Sequence, residues 1–215
     1  MKLHKKGLII VISGPSGVGK GTIIKSLLKR PVYEFYYSVS MTDRMPRQGE
    51  KNGKDYFFVT KAYFQKKIKE KYFLEYKKFI NNYYGTPYKQ IFENFKKGKK
   101  VILELDVQGA LELKKLEFKN NNFNKESVFI FVTPPTKKHL YERLTKRNTE
   151  KKEILIKRLQ KADEEFKLAY KYDYIVVNDK VENVVDKIIS IIIAEHSKIK
   201  NIIHYYSKKI LKEKD

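Results

Sequence analysis

The chain has 215 residues, no cysteine and a formal net charge of +22. This length suits one folding unit with an inserted subdomain, and the lack of cysteine excludes a disulfide framework, thiolate metal sites and thiol catalysis. Because we find neither a signal-peptide cleavage site nor an apolar run of membrane-spanning length, we expect a soluble, cytoplasmic protein.

The first apolar run, residues 7–13, predicts a buried strand. The stretch that follows it, GPSGVGKGT, predicts a phosphate-binding loop that leads into a helix near Thr22. Glycines in such a loop let backbone N–H groups converge on phosphate oxygens, and Lys20 reaches the β- and γ-phosphates. Gly21 stands where many such loops place the Ser or Thr that contacts Mg²⁺. Because Mg²⁺ usually keeps several waters, one missing hydroxyl does not abolish its site.

Continuous apolar runs recur at residues 36–41, 101–107, 128–133 and 174–177, and the segments between them mostly show helical patterning. Such runs are typical of strands covered on both faces, which favours a parallel sheet in an α/β fold. The tail, residues 181–211, predicts one long helix that docks through isoleucines on one face. The docking residues are Ile188, Ile189, Ile192 and Ile193.

Two segments do not show this alternation of apolar runs and ordinary helical patterning. Residues 38–90 are dense in Tyr and Phe and are punctuated by proline and glycine, which predicts an inserted subdomain with a smaller, more antiparallel sheet. Residues 136–168 are polar and helix-prone, with a break at residues 149–153. This second segment predicts either a mobile lid or an ordinary amphipathic helix pair on the sheet. The expected core comprises residues 1–37, 91–135 and 169–215.

The positions of the arginines indicate more about function than the total charge does, because the chain has 41 lysines and only six arginines. Arginine presents a planar fork that binds phosphate oxygens bidentately, which lysine cannot do. Spacings of three and four residues bring Arg44 close to Arg47, and Arg143 close to Arg147, where the chain is helical or tightly turned. We predict that these four and Arg158 are phosphate ligands. The lysines are dispersed, which favours a solvated cationic surface over a nucleic-acid interface.

Several segments resemble guanylate kinases, in order and with family spacing, from about residue 7 to residue 200. The loop form GKGT resembles those of nucleoside monophosphate kinases, and residues 38–50 (SVSMTDRMPRQGE) and 53–59 (GKDYFFV) resemble the GMP-binding region. The resemblance implies one P-loop three-layer α/β domain over residues 1–215, with a central parallel sheet, an inserted GMP-binding subdomain and a helical lid. The other matching segments are FLEY at 73–76, NYYGT at 82–86, LELDVQG at 103–109 and IVVND at 175–179.

The resemblance also assigns residues to GMP. Glu75, Thr86 and Ser40 would read guanine, which presents N1–H and a 2-amino group as adjacent donors for a carboxylate and O6 as an acceptor for a hydroxyl. Asp43 stands where the family often has Thr, and its negative charge would weaken GMP binding unless it points away. The GMP phosphate would be held by Arg44, Arg47, Tyr56 and Tyr84.

For ATP and the metal, the resemblance places Asp106 near GMP, Mg²⁺ and the phosphates. Thr22 is the second candidate near Mg²⁺, which nucleotide and water would mainly hold. Asn178 would approach the adenine of ATP. The implied catalytic residues are Lys20, Arg44, Arg143, Arg147 and Arg158. The implied ATP-binding loop residues are Gly14, Pro15, Ser16, Gly17, Val18, Gly19, Lys20, Gly21 and Thr22.

These assignments imply transfer of the γ-phosphate of ATP to GMP, giving ADP and GDP, with Mg²⁺ and without a covalent intermediate. Two alternatives stay open. One is a guanylate-kinase-like module that binds protein partners, against which the intact loop at residues 14–20 argues. The other is a basic RNA-binding protein with an NTPase core, against which the dispersed lysines argue.

Overall fold

The computed structural model describes residues 7–79, 81–115, 126–145 and 152–198. In chain order the strands are β1 (Leu8–Ser13), β2 (Phe35–Tyr37), β3 (Met41–Thr42), β4 (Phe57–Phe58), β5 (Phe73–Phe79), β6 (Asn82–Pro87), β7 (Lys100–Glu104), β8 (Ser127–Thr133) and β9 (Tyr174–Val177). The helices are α1 (Lys20–Leu27), α2 (Lys61–Lys69), α3 (Tyr88–Lys96), α4 (Val107–Lys115), α5 (Lys137–Thr145), α6 (Lys152–Phe166) and α7 (Val181–Ser197).

The first sheet is parallel throughout, in the strand order β2-β7-β1-β8-β9, which confirms the predicted α/β class. β1 lies in the middle of this sheet, and all of its residues are buried. Ile10 and Ile12 belong to an apolar cluster with α1 and α7, whereas Ile9 and Val11 belong to a second cluster with α3 and α4. Helices therefore cover both faces of β1, which explains why its sequence is continuously apolar.

The prediction of a single strand at residues 36–41 is wrong. The chain leaves β2 and enters β3, which belongs to a different sheet. The Ser38 N–H donates to the Ile102 carbonyl at 2.9 Å, and the Ser40 carbonyl accepts from the Phe57 N–H at 2.9 Å. The pairing partner thus changes within three residues, although the apolar character of the sequence continues across the change.

The run at residues 101–107 is also a shorter strand than predicted, because β7 ends at Glu104. Asp106 directly precedes α4, and its Oδ1 accepts the Gly109 N–H at 3.0 Å. This is the capping bond that starts a helix, since it satisfies an N–H group that has no partner within the helix. The Asp106 carboxylate therefore caps the start of α4, two residues after β7 has ended.

A second sheet lies within the Tyr- and Phe-rich segment, in the order β4-β3-β6-β5. β6 pairs antiparallel with β5 and β3, whereas β3 and β4 are parallel. Phe64 of α2 is fully buried and stacks on Phe73 and Tyr83, with ring centroids 4.5 and 5.3 Å away. The aromatic residues that mark this segment in the sequence therefore form a small core of their own.

Helices α5 and α6 occupy the segment for which a lid was one expectation. Leu140 and Leu144 of α5 and Ala162 of α6 are buried in the same apolar cluster as β1 and α1. In this structure the two helices pack on the core, as in the alternative of an amphipathic pair. The break expected at residues 149–153 lies mostly outside the described residues, and α6 begins at Lys152.

α7 docks on the core through an isoleucine face that differs from the predicted one at one position. Ile188 and Ile192 are fully buried, as predicted, but Ile193 is 50% exposed and Ile191 is buried instead. Spacings of three and four residues place positions 188, 191 and 192 on one helical face. α7 ends at Ser197, and Lys198 is extended, so the prediction of one continuous helix over residues 181–211 is wrong at this point. Residues 199–211 lie outside the described residues. None of the helices in the described ranges has the length and apolar character needed to cross a membrane.

Candidate active site

The phosphate-binding loop connects β1 to α1, and α1 begins at Lys20. Gly14 has a φ of 143°, a conformation that favours glycine, and a side chain there would lie 2.2 Å from the Val132 carbonyl oxygen. The loop therefore passes too close to β8 to carry another residue at this position. Gly21, by contrast, has nothing within 4 Å of the place a side chain would take. The missing hydroxyl at Gly21 is not a consequence of crowding.

Lys20 lies across the loop. Its ammonium donates to the Gly14 carbonyl at 2.7 Å and to the Pro15 carbonyl at 3.2 Å. Both acceptors are neutral, and a charged phosphate oxygen makes a stronger bond to an ammonium than a carbonyl does. Thr22 is exposed in the first turn of α1.

Two polar side chains converge on the Val18 carbonyl of the loop. Asn178, which is 3% exposed, donates from Nδ2 at 2.6 Å, and Arg143 donates from Nη1 at 3.2 Å. The Arg143 Nη2 also donates to the Asn178 carbonyl at 2.9 Å. These bonds tie α5 and the end of β9 to the loop. The contacts of Asn178 with adenine and of Arg143 with phosphate stay predictions.

Arg44 is fixed beside two tyrosines. Its Nη2 donates to both carboxylate oxygens of Glu50 at 2.9 Å, and its guanidinium carbon lies 5.5 Å from the centroid of the Tyr56 ring. The Tyr56 and Tyr84 rings meet edge to face at 6.0 Å. The Arg44 bonds hold the pKa of Glu50 below its usual value, although burial opposes this effect. The Arg47 backbone N–H donates to the same carboxylate at 2.7 Å, while its side chain is exposed.

Glu75 and Thr86 face each other across the β5–β6 hairpin. The Thr86 hydroxyl donates to Glu75 Oε1 at 2.6 Å, and Thr86 is 1% exposed. Burial raises the pKa of Glu75 to about 7, against the lowering effects of the Thr86 bond and of Lys77. Ser40, the third predicted base-reading residue, lies directly before β3 and is partly buried. The hairpin thus presents a carboxylate and a hydroxyl side by side, which together can accept and donate hydrogen bonds.

Asp106 lies next to Glu75. A side chain on Gly109 would come within 3.0 Å of Asp106 Oδ1 and 3.5 Å of Glu75 Oε2. Asp106 forms an ion pair with Lys77 of β5 and accepts the Gly109 N–H. Burial works against ionisation of Asp106, but the Lys77 charge and these hydrogen bonds outweigh it and hold the pKa below its usual value. Asp106 is therefore an ionised carboxylate at the boundary between α4 and β5.

Asp43 is directed at the backbone of β6. Its Oδ1 accepts the Tyr83 N–H at 2.6 Å. This bond engages the Asp43 carboxylate with the backbone of β6. Whether its charge weakens GMP binding stays a prediction.

The family model for guanylate kinase matches residues 6–195. This chain belongs to the guanylate kinase family. The guanylate kinase of Aster yellows witches'-broom phytoplasma is 54% identical over 208 residues, which cover 97% of this chain and 96% of that protein. The guanylate kinase of Clostridium tetani is 50% identical over 198 residues, 92% of this chain and 91% of that protein. A crystal structure of guanylate kinase from Anaplasma phagocytophilum matches with a TM-score of 0.76 and 30% identity, over 96% of each chain.

The sequence-based assignment gives Glu104 no ligand role, yet Glu104 lies among the residues of the site. Its Oε2 accepts the Tyr37 hydroxyl at 3.2 Å, and its charge adds to burial in raising the pKa of Tyr56. Glu104 is in register with Ile12 of β1, just before the loop. Its backbone thus lies beside the strand that leads into the loop, and its charge reaches Tyr56, a neighbour of Arg44. Its position at the carboxyl end of a parallel strand, where ligands bind in open α/β sheets, is the signal that marks it in the sequence.

Glu165 of α6 is a second acidic residue that the sequence-based assignment leaves out. It is 9% exposed, and burial raises its pKa, with Lys161, Lys20 and Lys77 opposing the rise and Asp106 adding to it. α6 thus brings a buried carboxylate within electrostatic reach of the loop lysine. Within the run Asp-Glu-Glu at residues 163–165, no sequence signal separates it from its exposed neighbour.

The structure describes two of the three predicted phosphate-binding arginines of the α5–α6 segment. Arg143 contacts the loop, as described above. Arg158 lies on α6 and is partly buried. Arg147 lies outside the described residues. The structure therefore brings Arg143 directly to the phosphate-binding loop, and the phosphate contacts of all three arginines stay predictions.

The donor groups at this edge of the sheet fit a magnesium ion that nucleotide phosphates and water mainly hold. Within the described ranges, no group of three or more His, Cys, Asp or Glu residues is placed to hold a metal. The oxygen ligands available are the Thr22 hydroxyl and the carboxylates of Glu104 and Asp106. The open space beside Gly21 leaves room for water.

The raised pKa of Glu75 makes a prediction about stability. Because burial favours the protonated carboxyl, its contribution to folding is present below its ordinary pKa of 4.5 and is lost as the pH rises through about 7. We expect Glu75→Gln to increase the free energy of unfolding at pH 8 by about 1–3 kcal/mol, with a much smaller increase at pH 5. Urea denaturation at both pH values measures this difference. The exposed Glu164→Gln is the control, and an equal effect of Glu75→Gln at both pH values contradicts the prediction.

Proposed function

We propose that the protein transfers the γ-phosphoryl group of ATP to GMP, giving ADP and GDP. The observation that carries this proposal is the Glu75–Thr86 pair on the β5–β6 hairpin. An ionised carboxylate accepts the N1–H and 2-amino donors of guanine, and the Thr86 hydroxyl would turn its one proton from Glu75 Oε1 to O6. Adenine presents an acceptor at N1, so the Glu75 carboxylate would face another acceptor with no proton between them.

On the acceptor side, Arg44, Tyr56 and Tyr84 would bind the GMP phosphate, and Arg47 would reach it from the adjoining turn. The Arg44 guanidinium is already held by Glu50 and lies against Tyr56. A side chain that is ordered before the substrate arrives loses little rotamer freedom on binding. This supports a preformed phosphate site rather than one assembled by the substrate.

On the donor side, the loop from Gly14 to Lys20 would hold the ATP phosphates. Lys20 would exchange its neutral carbonyl acceptors for phosphate oxygens, and Arg143, Arg147 and Arg158 would offset the charge that develops during transfer. Bound Mg²⁺ would supply charge neutralisation at the phosphates. Catalysis would then consist of positioning and charge stabilisation, without a covalent intermediate.

Water must be kept out of such a site, because ATP hydrolysis competes with transfer to GMP. The β5–β6 hairpin carries Glu75, Tyr84 and Thr86 of the proposed GMP-binding residues, and α5 carries Arg143, which contacts the loop. We infer that the GMP-binding segment and the α5–α6 segment close over the two nucleotides. Neither alternative function is favoured, since a protein-binding module has no need of the complete loop and RNA binding needs a clustered basic face.

The proposal predicts which nucleotide supports ADP release. With ATP and Mg²⁺, GMP should be a good substrate, whereas AMP, UMP, CMP and dTMP, offered separately, should be poor ones. A wild-type protein that prefers AMP, or that shows no GMP-dependent ADP release, would overturn the proposal.

Lys20→Ala tests the phosphate-binding loop. The variant should stay folded by circular dichroism and lower kcat by at least about a hundredfold, the scale of one lost electrostatic stabiliser.

Glu75→Gln tests the base-reading residue itself. The amide accepts through one atom only and loses a charge-assisted bond, so we expect kcat/KM for GMP to fall by about two orders of magnitude. Steady-state kinetics with varied GMP measures this ratio. Glu164→Gln, which changes the same charge on an exposed part of α6, should behave as wild type. Unchanged GMP kinetics in Glu75→Gln would remove the reason for assigning guanine as the base.

Glu50→Gln tests whether Arg44 depends on its carboxylate partner. The amide keeps the shape of the side chain but cannot accept both guanidinium bonds with full charge. We expect KM for GMP to rise about tenfold while KM for ATP stays within experimental error. Glu70→Gln, an exposed residue at the end of α2, is the matched control. Equal rises in both KM values would show that Glu50 supports the whole fold rather than the GMP phosphate site.

A further inference from the structure

β5 carries a lysine on the same face as the base-reading glutamate. Glu75 and Lys77 are two residues apart, so their side chains point to one side of the strand. In the hairpin register Glu75 pairs with Thr86 and Lys77 pairs with Tyr84. The next residue along the strand, Lys78, belongs to the other face and is exposed. Lys77 is thus the neighbour along the strand of the residue proposed to read guanine.

The Lys77 ammonium does not extend into solvent but forms an ion pair with Asp106. The two side chains are 24% and 31% exposed. Asp106 is itself anchored, because its other oxygen accepts the Gly109 N–H at the start of α4. The ion pair therefore connects β5, an edge strand of the second sheet, to a helix that packs on the first sheet.

This connection lies against Glu75. The place that a side chain on Gly109 would take is within 3.0 Å of Asp106 Oδ1 and 3.5 Å of Glu75 Oε2, so the two carboxylates share one small space. Asp106 and Glu112 contribute negative charge around Glu75, while Lys77 contributes positive charge and Thr86 donates a hydrogen bond. Neighbouring carboxylates repel each other when both are ionised, and a cation between the strand and the helix offsets that repulsion.

We propose that Lys77 is a positioning residue for base recognition, which holds β5 against α4 through Asp106 and so keeps the Glu75 carboxylate facing the guanine. This inference rests on the proposed function. Lys77 does not itself contact the base. It acts on the orientation of Glu75, so its loss should weaken GMP binding more than it slows transfer from a saturated enzyme.

The test compares Lys77→Met, which keeps the aliphatic stem but removes the charge, with Lys77→Arg, which keeps the charge. For Lys77→Met we expect KM for GMP to rise about tenfold, the scale of one lost hydrogen bond to a charged group, with kcat and KM for ATP changed by less than about threefold. Lys77→Arg should recover most of the GMP affinity. Lys78→Met makes the same charge change on the exposed face of the same strand and should behave as wild type.

Calorimetry without ATP and Mg²⁺ gives a second readout, with GMP and guanosine as probes. If Lys77 positions Glu75, Lys77→Met should lose affinity for both probes by similar factors, because both carry guanine. A loss for GMP alone would show that Lys77 binds the phosphate instead, and would overturn the inference. Wild-type affinity in Lys77→Met, or an equal loss in Lys78→Met, would also overturn it.

Two controls separate this inference from other failures. If the wild-type protein binds no GMP, the proposed function fails rather than the role of Lys77. Urea denaturation checks the fold of each variant. Should Lys77→Met fail to fold, Lys77→Gln replaces it, with the same expected loss for both probes and the same outcomes against the inference.

Discussion

The burial of β1 between helices on both faces is the constraint on which the rest of this structure depends. Strand β1 pairs in parallel with β7 on one side and β8 on the other, so the carboxyl ends of all three strands meet at one edge of the sheet. The phosphate-binding loop follows β1, Glu104 ends β7, and Thr133 ends β8. Asn178, after β9, reaches the same edge and bonds to the Val18 carbonyl. The polar groups of the site therefore lie where an apolar sheet ends.

Carboxylates hold the cations of this site in place. The chain has 47 basic and 25 acidic residues, yet acidic side chains gather at the site. Glu50 holds Arg44 and Asp106 holds Lys77. Glu165 lies within electrostatic reach of Lys20. Such pairs are stronger in partly buried surroundings than in water, so they order the cations before any nucleotide binds. The proposed phosphate transfer depends on this order, since its catalysis is mainly positional.

Local patterns in the sequence were sufficient for the fold class and for the phosphate-binding loop. Continuous apolar runs predicted a parallel sheet because strands covered on both faces need apolar residues at every position. The glycines of GPSGVGKGT predicted the loop because only glycine allows its backbone conformation and close approach, as Gly14 shows against β8. The family motifs predicted membership of the guanylate kinase family, which the comparisons confirm. Each of these signals is carried by residues that are neighbours in the chain.

The tertiary structure alone decided which groups face one another. Apolar character reports that a strand is buried but not which strand pairs with it, so residues 36–41 read as one strand although they enter two sheets. The pairing of Thr86 with Glu75 depends on hairpin register, and a shift of one residue would turn these side chains to opposite faces. The ion pair between Lys77 and Asp106 depends on how β5 docks on α4. Contacts between elements distant in the chain follow from packing, which leaves no periodic trace in the sequence.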